Sequence, residues 1–168
     1  MPDMLVKLYE LPPLDAALAQ QQAQGITIRR ALVLEKQLVT EWVCTHFSRG
    51  WGNECDVAFS RQPVSCFIAI KENQLLGFAC HDATCRNFFG PMGVGERCRG
   101  RGVGKALLLA CLHGMKEQGY AYGVIGWVGP AEFYRKIVGA VEIEGSSPGI
   151  YAGLLRGAID DSLLVIDN

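Results

Sequence analysis

Residues 94–106 constrain the fold of this chain more than any other segment. Their sequence, VGERCRGRGVGKA, predicts the end of a strand, a basic glycine-rich turn and the start of a helix that continues to about Gln118. The first amide groups of a helix have no partners within it and carry a partial positive charge. Glycine at positions 100, 102 and 104 lets a bulky anion approach this backbone closely. Basic side chains add formal positive charge at Arg97, Arg99, Arg101 and Lys105. The segment therefore predicts a phosphate or pyrophosphate site.

The spacing within this segment separates the known phosphate-binding patterns. A P-loop needs a glycine five residues before its Gly-Lys pair and a hydroxyl residue after the lysine, but Arg99 and Ala106 occupy those positions. The dinucleotide fingerprint G-x-G-x-x-G fails because the glycines run G-x-G-x-G. The pattern V-x-x-x-x-R-x-x-G-x-G fits, and it resembles the acetyl-CoA signature of the GNAT superfamily of N-acetyltransferases. A turn that binds no ligand is the alternative, but strand, basic residues, glycines and helix all agree in order.

Length and composition exclude several classes of protein. The chain has 168 residues, which suits one domain, and 49% hydrophobic against 20% charged residues is typical of a globular protein. A net charge of −1 argues against a general nucleic-acid binder. The N-terminus does not have the pattern of a signal peptide, and no apolar run reaches the ~18 residues of a membrane span. We expect a cytoplasmic protein with no nucleic-acid or membrane partner.

The seven cysteines contain no C-x-x-C pair. They lie in apolar or strand-like surroundings, which favours reduced thiols that are mostly in the core. Cys80, His81 and Cys85 lie close together in the sequence, but no second ligand pair follows at the spacing of a zinc site. We therefore expect no metal.

The first half of the chain predicts alternating strands and helices. We expect strands at 4–9 and 26–29, and helices at 16–24 and 34–47, the second with an apolar stripe at every fourth residue from Leu34 to His46. The glutamines at 20–22 are interpreted as an exposed helix face. Residues 48–53 are predicted to be a turn-rich loop because they contain two glycines and an asparagine.

The second half predicts a mixed sheet. A polar turn joins strands 66–70 and 75–81 into a hairpin. The next strand, 88–94, contains Pro91, so we expect a bulge or splay there. A helix follows from about Val103 to a left-handed cap at Gly119, with Ala106, Leu107, Ala110 and Cys111 on one apolar face. Strand 122–127, helix 131–138 and a final hairpin of 141–144 with 150–154 complete the prediction. The fold class is mixed α/β, with a partly parallel sheet.

The resemblance covers about residues 26–155 and implies the GNAT-like fold, a centrally splayed sheet flanked by helices. The splaying strands would be 88–94 and 122–127. It implies a single N-acetyltransferase domain over 1–168, in which 1–24 form an N-terminal strand–helix addition. It also implies acetyl-CoA as cosubstrate. The residues expected to bind it are Met92, Gly93, Val94, Arg99, Gly100, Arg101, Gly102, Val103, Gly104 and Lys105.

The segment FYRKIVGA at 133–140 also resembles the superfamily. It places Tyr134 where the family has the tyrosine that protonates the departing CoA thiolate, and packing is the alternative role for this aromatic residue. Two departures stand out. Glu96 replaces a common proline, and 88–92 contain no carboxylate where many members have a general base. The candidate bases elsewhere are Glu54, Asp56, His81 and Asp82, with a water chain as an alternative. Trp51, Phe88 and Trp127 are interpreted as core aromatics that could line the acceptor pocket.

The resulting functional hypothesis is an enzyme that moves an acetyl group to a primary amine of a small molecule or peptide by direct attack in a ternary complex. A non-catalytic acetyl-CoA sensor or interaction module is the alternative. A nucleotide-binding protein is disfavoured by the missing P-loop hydroxyl. The predicted hairpin ending at 151–154 and the apolar tail at 163–166 offer apolar surface, so we expect a homodimer.

Overall fold

The computed structural model describes residues 1–155. Its seven strands form one mixed sheet. The strands are β1 (Met4–Lys7), β2 (Thr27–Arg30), β3 (Cys66–Lys71), β4 (Gln74–His81), β5 (Phe88–Val94), β6 (Tyr122–Ile125) and β7 (Val141–Glu142). The helices are α1 (Asp15–Gln22), α2 (Lys36–His46), α3 (Arg49–Phe59), α4 (Val103–Glu117) and α5 (Ala131–Val138). No helix in this part of the chain is long and apolar enough to cross a membrane.

The sheet has the order β2-β3-β4-β5-β6-β1-β7, and its only parallel pair is β5 with β6. The predicted mixed α/β class and the hairpin of β3 and β4 are confirmed. Glu72 and Asn73 form the tight turn of this hairpin with positive φ angles of 50° and 61°. The pairing register of β4 and β5 shifts between Ala79 and His81, close to Pro91, so the predicted irregularity is also confirmed.

The N-terminal strand β1 lies inside the sheet, between β6 and β7. Met4 is opposite Ile125 on one side and Glu142 on the other. The side chains of Met4 and Val6 are fully buried. The N-terminal strand therefore lies directly beside β6, which is one of the two strands predicted to splay apart.

Helix α4 fills one face of the sheet. The predicted apolar face is confirmed, and the burial extends further around the helix because α1 and the sheet cover different sides of it. The fully buried residues Leu107, Leu108, Leu112 and Met115 form its center. Gly119 follows the helix with φ +95°, as expected for the cap. The helix that follows the glycine-rich turn is thus anchored in the core, from Val103 at its first position onward.

Helices α2 and α3 cover the other face, and here the sequence prediction was wrong in two respects. Residues 49–59 form helix α3 and not a loop, because Ser48 caps it by accepting a hydrogen bond from the amide of Trp51 at 3.2 Å. Gly52 lies at the contact between the two helices, where a Cβ would overlap the sulfur of Cys44 on α2 and this side chain would have to move. The predicted stripe on α2 is also wrong, since Leu34 and Leu38 are exposed.

The C-terminal hairpin is the third correction. Val141 and Glu142 pair with β1, so the expected partner strand at 150–154 does not form. Gly149–Tyr151 is instead a short 3-10 helix. It brings the Tyr151 ring to 4.7 Å from the Trp127 ring. The apolar tail at 163–166 lies outside the described residues.

Candidate functional site

The sheet opens between β5 and β6. These strands pair only at Phe88 with Val124 and at Phe89 with Ile125, and β5 then continues to Val94 paired with β4 alone. The predicted splay is therefore confirmed. Past Phe89, the edge of β5 that faces β6 has no strand partner in the described structure. Its backbone groups can pair with an extended ligand, and this edge includes Met92, Gly93 and Val94.

The loop after β5 presents a row of unpaired amides. Gly102, with φ +82°, precedes helix α4, and its carbonyl accepts from the amide of Ala106 at 3.0 Å. Within residues 1–155, none of the amides of residues 100–105 donates to another protein group. Consecutive free amides at a helix N-terminus are a site for anions.

Cationic side chains surround the same loop. Arg97, Arg99, Arg101 and Lys105 are exposed and form no ion pair with a carboxylate in the described part of the chain. The Arg99 side chain donates to the Val94 carbonyl at 3.3 Å, which joins the loop to the end of β5. Two cavities flank the loop. One, of about 480 Å³, includes Arg97 and Trp42, and the other, of about 390 Å³, includes Lys105 and Lys136.

The glycines keep the loop surface open. Gly100 has φ +76° and no atom within 4 Å of the place a Cβ would occupy. A Cβ at Gly104 would only touch Val94 and Phe133, at 3.6 and 3.8 Å. Side chains at these positions would cover the free amides. Because the glycines leave these amides uncovered, the backbone of residues 100–105, called the cradle below, has room for a pyrophosphate.

Helix α1 holds this loop in place, which the sequence did not indicate. Gln21 and Gln24 donate from Nε2 to the same carbonyl, that of Arg101, at 3.1 and 3.2 Å. Gln21 is only 1% exposed, so the glutamines of α1 are not a fully exposed face as predicted. The Oε1 atom of Gln21 is buried without a hydrogen-bond partner. Two side chains from outside residues 94–106 thus hold the peptide bond between Arg101 and Gly102.

Tyr134 lines a cavity of about 370 Å³ between the splayed strands. Its side chain is 7% exposed and packs edge-on against Phe89 and Phe133. Burial raises the pKa of Tyr134 to about 12, so the phenol keeps its proton through the neutral pH range. The segment 133–140 therefore places a protonated phenol beside the gap between β5 and β6.

Glu54 is the one candidate base that lines this cavity. It lies on α3 and accepts a hydrogen bond from the Thr84 hydroxyl. Burial raises the pKa of Glu54, and the bond from Thr84 partly opposes the shift. A carboxylate with a raised pKa is a better match to proton transfer near neutral pH than an exposed one.

The other three candidates have structural partners. Asp56 is exposed and forms an ion pair with Lys36 at 2.9 Å. His81 is fully buried beside Asp82, with 3.0 Å between Nδ1 and Oδ2. Asp82 also accepts from the Tyr120 hydroxyl at 3.0 Å. Burial lowers the pKa of His81. None of these groups lines the cavity.

Trp51, Phe88 and Trp127 line the cavity with Tyr134, and each is only half-buried. Their interpretation as core residues was therefore incomplete. The sequence offered this role as an alternative but could not decide it, because the three rings come from α3, β5 and the loop after β6. Tyr151 joins them and had no signal in the sequence.

The cysteines are free thiols, and four of the seven are buried: Cys55, Cys66, Cys80 and Cys111. The sulfur atoms of Cys55, Cys66 and Cys80 lie within 4.8 Å of one another in the apolar cluster under α2 and α3. Burial raises the pKa of Cys80 and Cys111. The expectation that the chain binds no metal stays a prediction.

Comparisons with known proteins agree with this geometry. Residues 62–137 match the family model described as an acetyltransferase (GNAT) domain. This range contains β3 to β6, the cradle and most of α5. No curated protein matches the chain in sequence.

Solved structures share the fold at low sequence identity. The glucosamine N-acetyltransferase region of a fungal multi-domain β-N-acetylglucosaminidase has a TM-score of 0.69 at 15% identity, over 84% of this chain and 19% of that one. An N-acetyltransferase of the same superfamily from Sphaerobacter thermophilus has a TM-score of 0.61 at 20% identity, over 84% and 48%. A Drosophila protein gives 0.60 at 12%, over 84% and 47%. The chain spans less than half the length of each of these proteins, and the likeness shows the fold.

Proposed function

We propose that this chain, which carries an acetyltransferase domain of the GNAT superfamily, transfers the acetyl group of acetyl-CoA to a primary amine by direct attack in a ternary complex. The observation that carries the proposal is that two features lie along the same gap between β5 and β6. A cradle of free amides at 100–105 lies at one end of the splay, and a cavity with a phenol and a carboxylate lies at the other.

The cradle supports acetyl-CoA as the acetyl donor. The amides and cations of residues 99–105 would hold the pyrophosphate, with Arg97 or Arg101 nearer the adenosine phosphate. The free edge of β5 would pair with the pantetheine arm through Met92, Gly93 and Val94. Backbone donors on this edge can also stabilise the charge that develops on the thioester oxygen.

Glu54 would act as the general base. Its carboxylate accepts one proton from the acceptor ammonium, which frees the nitrogen lone pair to attack the thioester carbon. A carbon–nitrogen bond forms and the carbonyl electrons move to oxygen. The raised pKa of Glu54 suits this transfer. The missing carboxylate in β5 is then replaced by one from helix α3.

Tyr134 would act as the general acid. As the tetrahedral intermediate collapses, the carbon–sulfur bond breaks and the phenol donates its proton to the sulfur. The second proton of the attacking nitrogen restores the phenol, and Glu54 releases its proton to solvent. A positioned acid contributes ~10²–10⁴-fold to the rate. The pKa of about 12 keeps Tyr134 protonated and ready to donate.

The non-catalytic sensor remains the second candidate because 88–92 hold no carboxylate. The presence of Glu54 and Tyr134 in one cavity favours the enzyme. The unpaired thiols support the proposed cytoplasmic setting. The proposed homodimer now rests on the apolar sequence at 163–166, because the expected hairpin strand at 150–154 does not form.

Release of CoA thiol from acetyl-CoA in a panel of primary amines tests the proposal. We expect amine-dependent release, and we expect Tyr134→Phe to lower kcat by about 100-fold with little change in acetyl-CoA affinity. Tyr9→Phe is the matched control, because Tyr9 is exposed and contacts only Tyr122 among aromatic rings. Binding of acetyl-CoA without turnover of any amine would favour the sensor, and equal turnover by Tyr134→Phe would remove the acid from the mechanism.

A further inference from the structure

We propose that the acceptor is a small arylalkylamine, an aromatic ring joined by a short alkyl chain to a primary amine and carrying no carboxylate. This inference rests on the proposed function, since it assumes that the cavity beside Tyr134 receives the acceptor. The cavity's walls, its charge and its size each point to the same chemical class.

Aromatic side chains form the walls of the cavity. The rings of Trp127 and Tyr151 lie 4.7 Å apart at an angle of 37°. Phe88 approaches them across Gly126, where an added Cβ would lie 2.7 Å from the Tyr151 hydroxyl and 2.8 Å from the Phe88 ring. Glycine at this position lets the rings converge. Converging aromatic faces favour a flat ring, which they bind by apolar burial and by edge-to-face or stacked contacts.

The charge in the cavity favours an ammonium group. Glu54 is the acidic side chain that lines it, and among the described residues no lysine, arginine or histidine side chain does. The charge of Glu54 also reaches Tyr151, whose pKa is raised mainly by burial and further by this carboxylate. Met1 also lines the cavity, and its ammonium group donates to the Ser147 hydroxyl at 3.3 Å. An ammonium can pair with Glu54 and face the rings, whereas a carboxylate would be repelled.

The size and hydrogen-bonding capacity of the cavity disfavour folded protein acceptors and amino sugars. A volume of about 370 Å³ suits a small molecule and is too small for a folded partner. An amino sugar would need a hydrogen-bond partner for each hydroxyl group. The side chains with polar atoms that line the cavity are Trp51, Glu54, Thr84, Trp127, Tyr134 and Tyr151. The two tryptophans offer one donor each and no acceptor, and Thr84 already donates to Glu54. The site therefore favours the arylalkylamine over an amino sugar.

The test compares acceptors that differ in one feature. Initial rates at saturating acetyl-CoA are measured with 2-phenylethylamine, with L-phenylalanine, which adds only a carboxylate, and with glucosamine. We expect kcat/KM for 2-phenylethylamine to exceed that of both others by at least about tenfold, because a repelled or poorly paired polar group costs more than 1.4 kcal/mol. A higher value for L-phenylalanine or glucosamine would overturn the substrate class and leave the acetyltransferase itself intact.

A variant separates ring recognition from a general loss of function. Phe88→Leu should raise KM for 2-phenylethylamine by about 2- to 10-fold, the range of a lost aromatic contact. It should change KM for n-butylamine less than KM for 2-phenylethylamine. Tyr122→Leu, at an exposed tyrosine outside the cavity, is the control. An equal effect of Phe88→Leu on both amines would contradict the inference. Binding of acetyl-CoA with no turnover of any amine would contradict the proposed function as well.

Discussion

The strongest internal test of the cradle lies outside the motif, at Gln21 on helix α1. Gln21 and Gln24 both donate to the Arg101 carbonyl, at 3.1 and 3.2 Å. That carbonyl belongs to the peptide bond between Arg101 and Gly102. The free amides at the start of α4 follow directly after this peptide bond. If these bonds fix the orientation of the peptide, their loss should weaken anion binding even though neither glutamine belongs to the predicted binding set.

The magnitude follows from the two hydrogen bonds and the unpaired oxygen. A typical buried hydrogen bond contributes about 0.5–1.5 kcal/mol, and a buried polar atom without a partner costs about 1–3 kcal/mol. Gln21→Met keeps the side-chain length, removes one donated bond and also removes the unpaired Oε1 atom. These effects offset each other in the free energy of unfolding, so the melting temperature should change little. Affinity has no such compensation, and it should fall by about 2- to 10-fold.

Titration calorimetry with acetyl-CoA, together with thermal unfolding of the free protein, measures both quantities. The double variant Gln21→Met with Gln24→Ala should lose about 10-fold or more in affinity, because the carbonyl then has no side-chain partner. Gln22→Met is the control, since Gln22 is exposed on the same helix and makes no bond to the loop. Unchanged affinity in the double variant would refute the positioning role of α1.

The other predictions concern the base and the assembly. Glu54→Gln should lower turnover and raise the melting temperature at neutral pH. Burial raises the folded pKa of Glu54, so its ionised form lowers stability as pH rises above its ordinary range. The stability gain should vanish in acid, where both proteins are neutral at this position, and a gain that is constant from pH 4 to 8 would contradict the assignment. For the assembly, light scattering at micromolar concentration should give the mass of a homodimer, and a monomeric mass would refute that prediction.

The elements that the sequence predicted well have local signals. The β3–β4 hairpin has a polar turn, α4 begins at glycines and ends before Gly119, and α5 matches its predicted bounds of 131–138. Helix α3 was missed because its glycines are typical of a turn. Gly52 lies against Cys44 on the neighbouring helix, which is a tertiary contact. The pairing of β7 with β1 is equally non-local, so it could not be predicted from 141–144 alone.

The candidate site likewise contains some residues with a local sequence signal and others without one. The cradle and Tyr134 each lie in one short segment, so spacing could predict the cradle and the resemblance of 133–140 to the superfamily could predict Tyr134. The remaining groups come from distant parts of the chain. Glu54 is on a helix that the sequence did not predict, Gln21 approaches from α1, and Tyr151 reaches the cavity from the segment after β7. Burial and neighbours decide what these side chains can do, and both depend on the assembled fold.

Binding of acetyl-CoA to the wild-type protein and to Gly100→Asp tests the central claim most directly. The aspartate adds a side chain and a negative charge beside the free amides, where like-charge repulsion costs several kcal/mol. Gly145→Asp is the matched control, because both glycines have a positive φ, of 76° and 72°, and open space where a Cβ would lie. We predict by calorimetry that wild type and Gly145→Asp bind acetyl-CoA alike. Gly100→Asp should bind at least about 100-fold more weakly and should unfold at a temperature similar to that of Gly145→Asp. Equal affinity in all three proteins, or no binding by the wild type, would contradict the account.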